Sequence, residues 1–139
     1  MPDIKVDLSK AIVFEALPAG GPYLATISKI VPGESKEGNP KVHVEFTILE
    51  PEQWARKKVF DEINLVNENT QGRLLQILLA AGEDEKAVKS KNYTLKTEEI
   101  EGRQLTMWTR TRKGDNVNPD QAQWRKLALA SVYTEASEF

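Results

Sequence analysis

The chain has 139 residues, no cysteine, a formal net charge of −2, 40% hydrophobic and 29% charged residues, a composition and length that fit one globular domain able to bury its own core. Without cysteine there are no disulfides, thiolate metal clusters or thiol nucleophiles, and the near-neutral total excludes a polyanion binder charged evenly over its surface. No apolar run approaches the ~20 residues that cross a bilayer, and the N-terminal stretch lacks the basic-then-apolar order of a secretory signal, so the expected setting is the cytoplasm, without membrane contact.

In chain order, residues 1–13 are polar with weak periodicity at Ile4, Val6 and Leu8, and read as a short strand or an N-terminal arm. Residues 14–21 end in a turn at Pro18, Gly20 and Gly21. Tyr23 to Val31 is rich in β-branched and aromatic residues and predicts the first strand. After the turn cluster at 35–40, Lys41 to Leu49 alternates. Val42, Val44, Phe46 and Ile48 are expected on one face, and Lys41, His43, Glu45 and Thr47 on the other. Lys57 to Val66 predicts a third strand with Val59, Ile63 and Leu65 inward. Asp61 falls on that same side and implies a bulge or the rim of a barrel.

Asn69 to Ala81 predicts the principal helix. Asn69 or Thr70 is the expected cap, Leu74, Leu75, Ile77, Leu78 and Leu79 form the apolar stripe, and Gly82 ends it. A short polar helix is expected within 83–90 and a single turn at 97–100. Gln104 to Arg112 alternates as a fourth strand, 113–123 is a long loop, and Trp124 to Tyr133 is a fifth strand. Periodicity alone also allows a helix over 124–133; pairing with strand four favours the strand. The expected fold is mainly β with one principal helix, an OB-fold-like five-stranded antiparallel barrel in the order β-β-β-α-β-β, forming a single domain over 1–139. An α+β sandwich is the alternative.

Catalysis has no support in the residues. His43 is the only histidine and lies on a polar strand face, no acid or histidine grouping has metal-ligand spacing, and no glycine-rich loop leads into a helix. The expectation is a non-enzyme without cofactor or metal. Binding is better supported. Between Arg103 and Lys126 six bases stand against two acids. If Leu105 and Met107 face the core, Trp108, Arg110 and Arg112 point outward together. Stacking of bases on an aromatic ring, with arginine on phosphate, is what a sequence-tolerant single-strand site requires. Lys58 and Phe60 on strand three, with Arg56 and Trp54 before it, and Trp124 and Lys126 on strand five complete the candidate nucleic-acid face. The C-terminal tip, residues 134–139, is acidic and ends in Phe139. Glu138 and Phe139 are candidate contacts for replication or recombination proteins.

The Pro-Ala-Gly turn before strand one, the Ser-Lys-x-Gly-Asn-Pro turn before strand two, and Phe60-Asp61 in strand three cover about the first 80 residues. In these the chain resembles small phage proteins of the single-stranded DNA-binding type, found near phage replication and recombination genes and often without a known function. The resemblance implies an OB-fold-like barrel that serves phage DNA replication or recombination. Its motifs are turns and core positions, so they carry no binding residue over. Single-stranded DNA is therefore the expected partner, with a homo-oligomer as a further expectation. The alternative is a non-catalytic protein-interaction or virion-associated module.

Overall fold

The computed structural model describes residues 3–7, 9, 17–90 and 93–133. Five antiparallel strands form one sheet: β1 (Gly20–Glu34), β2 (Pro40–Glu50), β3 (Lys58–Asn64), β4 (Gln104–Arg112) and β5 (Gln121–Leu129). Their order is β3-β2-β1-β4-β5. The sheet is open, with β3 and β5 as its two edges. Three helices, α1 (Glu68–Ala80), α2 (Glu85–Val88) and α3 (Thr97–Ile100), lie between β3 and β4 in sequence.

β1 organises the sheet. It is 15 residues long, and its first half pairs with β4 (Tyr23 opposite Met107, Ala25 opposite Leu105) while its second half pairs with β2 as far as Glu34 opposite Pro40. Register shifts at Leu24/Ala25 and Ile27/Lys29 break the ladder with β2. Such extra residues bend a strand and increase its twist, which lets one strand serve both halves of a curled sheet. At the bend, Ile27 exchanges backbone hydrogen bonds with the segment before β4, donating to the Arg103 carbonyl (2.9 Å) and accepting from Gly102 (2.8 Å).

The alternation expected in β2 is present. Val42, Val44, Phe46 and Ile48 are all buried, and they meet Ala25, Ile27, Ile30, Val59, Ile63, Leu105 and Met107 in a single core. Full burial of each large side chain contributes about 1.5–3 kcal/mol. On the opposite face Glu45 departs from expectation and is only 8% exposed. It stands between Lys29 of β1 and Phe60 of β3 in the ladder, and Lys58 Nζ reaches its carboxylate at 3.4 Å.

α1 begins one residue earlier than the sequence suggests, and its cap precedes the expected Asn69 or Thr70. The cap is Asn67, whose side chain accepts from the Thr70 amide (3.0 Å), while the Thr70 hydroxyl receives the Asn67 amide (3.3 Å). This reciprocal pair satisfies two of the free donors of the first turn. Gly82 takes φ 96° just beyond the helix, and the amides of Gly82 and Glu83 bond the carbonyls of Leu79 and Leu78; glycine adopts that conformation without steric cost. The buried stripe is narrower than expected. Ile77, Leu78 and Ala80 are buried, whereas Leu75 and Leu79 are half-buried. The helix packs on both edge strands, β3 and β5.

The remaining boundaries differ in detail. β5 starts at Gln121, three residues earlier than expected, and its hairpin with β4 fixes it as strand; residues 130–132 form a 3-10 turn. The β2–β3 register has no shift at Asp61, so the bulge expected there is absent. Residues 3–7 lie in no strand or helix, and Ile4 and Val6 are exposed. The rest of the proposed arm and the 134–139 tip with Glu138 and Phe139 lie outside the described residues. Among the described residues no helix is long and apolar enough to cross a membrane.

The cap supplies a direct test. Asn67→Ala is expected to lower stability by about 1 kcal/mol, read as a reduced urea midpoint at unchanged m. An unchanged midpoint would show that the first turn of α1 does not depend on the cap.

Candidate nucleic-acid interface

Between the two edge strands lies a seam that side chains bridge. Asp61 alternates inward on β3 between Val59 and Ile63, and its side chain is 11% exposed. One carboxylate oxygen is ion-paired with Arg73 of α1; the other accepts a hydrogen bond from Trp124 Nε1 of β5 at 3.0 Å. The Arg73 guanidinium also stands over the Trp124 ring, 5.6 Å from its centroid. A nearly buried carboxylate is costly unless both oxygens are engaged, and here each has a partner from a different element.

Above the seam is an open groove of about 1030 Å³. Its β3 wall is Phe60, Asp61 and Glu62. Arg73 and Gln76 of α1 lie along it, and the β4–β5 hairpin supplies Arg110, Thr111, Arg112, Gln123, Trp124 and Arg125. Arg110, Arg112 and Arg125 are exposed and make no ion pair among the described residues. Arg125 is the extra residue where the β4–β5 register shifts between Trp108/Thr109 and Lys126/Trp124, so the bulge adds an arginine to this wall.

The two acids of the basic segment are occupied within the hairpin loop. Asp115 accepts from the amides of Asn118 (2.7 Å) and Val117 (2.8 Å), and Asp120 accepts from Gly114 (2.7 Å). Hydrogen bonds from Asn118 and then Val117 hold the Asp115 carboxyl below its usual range. These carboxylates serve the loop backbone, not the arginines of the strands.

Phe60 is 53% exposed on the outer face of β3. Its ring is stacked with that of His43 on β2, with centroids 6.0 Å apart and an interplanar angle of 29°. His43 Nδ1 lies 3.5 Å from Glu62. The groove therefore continues over β3 onto a small aromatic platform.

Trp108 points outward from β4, as the alternation of Leu105 and Met107 requires, but its ring is half-buried and does not line the groove. It lies over β1 at Gly21, where an added Cβ would fall 2.8 Å from the Met107 carbonyl oxygen and 3.2 Å from Trp108 Cδ1. Lys126, directly across the ladder, places Nζ 4.7 Å from the ring centroid. A cation over the face of a tryptophan is attractive, and this one covers part of the surface that a base would use.

The residues expected from the sequence thus divide. The groove gathers Phe60, Arg110, Arg112 and Trp124. Trp108 and Lys126 form a second, adjoining patch. Trp54 sits on a 3-10 turn and packs against the core, exposed Arg56 turns the chain at φ 75°, and Lys58 is paired with Glu45; none of the three lines the groove. Sequence reasoning missed Asp61, Arg73, Gln76, Gln123 and Arg125. Arg73 and Gln76, three apart on one helix flank, were the available signal. Among the described residues no group of three or more His, Asp or Glu is placed to hold a metal ion.

The fit of Trp108 over β1 depends on Gly21, whose φ is 137°. Gly21→Ala is expected to destabilise the fold by about 1 kcal/mol or more, measured by chemical denaturation. A variant as stable as the parent would show that the ring does not need this close approach.

The sequence matches no protein-family model and no curated protein.

Proposed function

We propose that this protein binds single-stranded DNA without sequence preference, along the groove between β3 and the β4–β5 hairpin, on a barrel of OB-fold type. The observation that carries the reading is one surface on which Arg110, Arg112 and Arg125 stand beside Phe60 and Trp124. Arginine neutralises phosphate, every base has a face that can stack on an aromatic ring, and neither contact depends on base identity. Enzymatic activity has no place in this reading.

Strand order supports the OB-type assignment. With the order β3-β2-β1-β4-β5, one further pairing between β3 and β5 would close the sheet into a five-stranded barrel, and the two edges are already in contact. The helix between β3 and β4 packs across that seam. The resemblance of the first 80 residues to phage proteins of the single-stranded DNA-binding type points the same way and suggests replication or recombination as the setting, in a host cytoplasm.

A protein-interaction module is the second reading. Half-exposed Leu129 and Val132 at and just beyond the end of edge strand β5 favour it, because an unpaired edge with apolar neighbours can recruit another strand, including one from a second copy.

Titration with fluorescein-labelled oligo-dT, followed by anisotropy, separates the two. Binding is expected to weaken with salt at a log–log slope near −2, roughly 0.7 for each of three arginines. Replacing Arg110 and Arg112 together with alanine is expected to flatten that slope by about 1.4. Phe60→Ala is expected to cost about 1–3 kcal/mol of affinity. No anisotropy change up to high micromolar protein in low salt would sink the DNA reading and leave the protein-interaction one.

A further inference from the structure

Arg73 is unlike the other arginines of the groove. Its guanidinium is paired with Asp61, whereas Arg110, Arg112 and Arg125 make no ion pair among the described residues. The pair is not sealed off from the groove: the Arg73 side chain is 46% exposed and lines it, while the Asp61 side chain is 11% exposed beneath. Trp124 completes a triangle, donating to the second Asp61 oxygen at 3.0 Å and lying under the guanidinium at 5.6 Å. One carboxylate from β3 thus orients a cation from α1 and a ring from β5, and it also cancels the charge of that cation. The two roles are chemically separable. An amide at position 61 can still accept from the Trp124 Nε1–H, but it cannot neutralise a guanidinium.

We propose that Asp61 is a positioning residue that sets the groove's affinity for phosphate by holding Arg73 on its own carboxylate, so that a single strand meets three available arginines instead of four. The inference rests on the single-strand reading above and adds to it a residue that restrains binding. Glu62, the other acid of the groove, differs in being open to solvent and beside His43.

The test uses oligo-dT anisotropy across a salt series with the wild type, Asp61→Asn, Arg73→Gln and the double variant, each checked for folding by circular dichroism. Asp61→Asn is expected to bind about 5- to 10-fold more tightly at 50 mM salt and to steepen the log–log slope by roughly 0.7, the contribution of one added phosphate contact. Arg73→Gln in the wild-type background leaves the Asp61 charge uncancelled and is expected to weaken binding a few-fold without flattening the slope. The double variant, which lacks both charges, is expected to bind within about twofold of the wild type. The proposal is overturned if Asp61→Asn binds no more tightly than the wild type, or if its gain persists in the double variant, since loss of a negative charge would then suffice. It is also overturned if Arg73→Gln alone flattens the slope by roughly 0.7, because Arg73 would already be contacting phosphate; that arm holds even if Asp61→Asn does not fold. Absence of binding by the wild type removes the single-strand reading and this inference with it. Binding by the wild type with an unresponsive Asp61→Asn removes the inference alone.

Discussion

The two edges of this sheet meet without a backbone ladder, and a single carboxylate holds their side chains together. Asp61 faces inward from a strand whose neighbouring inward positions, Val59 and Ile63, are both buried. A charge there would oppose folding if it were alone. It is accommodated because α1 brings Arg73 and β5 brings Trp124 to the same point. The helix over the seam, the tryptophan of β5 and the floor of the groove all meet at that one group.

The groove's electrostatics depend on how the acids are used. The chain as a whole is slightly acidic, yet the hairpin wall presents arginines that make no ion pair among the described residues, with Glu62 the one solvent-open acid of the groove. Asp115 and Asp120 are committed to the loop backbone, and Asp61 lies below the surface on Arg73. A local field of this kind does not require a basic protein; it requires that carboxylates be engaged elsewhere. The same economy explains why the bulge in β5 matters: inserting Arg125 adds a cation to the wall without lengthening the strand.

Trp108 illustrates the difference between pointing outward and being available. Alternation along β4 sends its side chain to the outer face, but the close approach of β1 at Gly21 and the cation of Lys126 leave it half-buried. Phe60, a residue type more often found in cores, is the more open ring, since its strand lies at an edge with only β2 beside it and its outer neighbour His43 stacks without covering it. Exposure here is decided by neighbours on adjacent strands, distant in the chain, which no local pattern records.

Much of the fold is legible in the sequence because it rests on local periodicity. The alternation of Val42, Val44, Phe46 and Ile48, that of Leu105 and Met107, and the glycine after the helix each encode an element and its buried face within a few residues. Part of the site is legible for the same reason: Phe60, Arg110 and Arg112 announce their faces through strand period, and Trp124 through its type. The larger part comes from contacts between residues far apart in the chain. That Asp61 has partners 12 and 63 residues away, that a shift in register inserts Arg125, and that Lys126 caps Trp108 all depend on which strands become neighbours. The sequence by itself determined which side chains face in and which face out. Only the tertiary structure decided which outward residues share a surface, because that is a matter of sheet order and register, to which strand periodicity is blind.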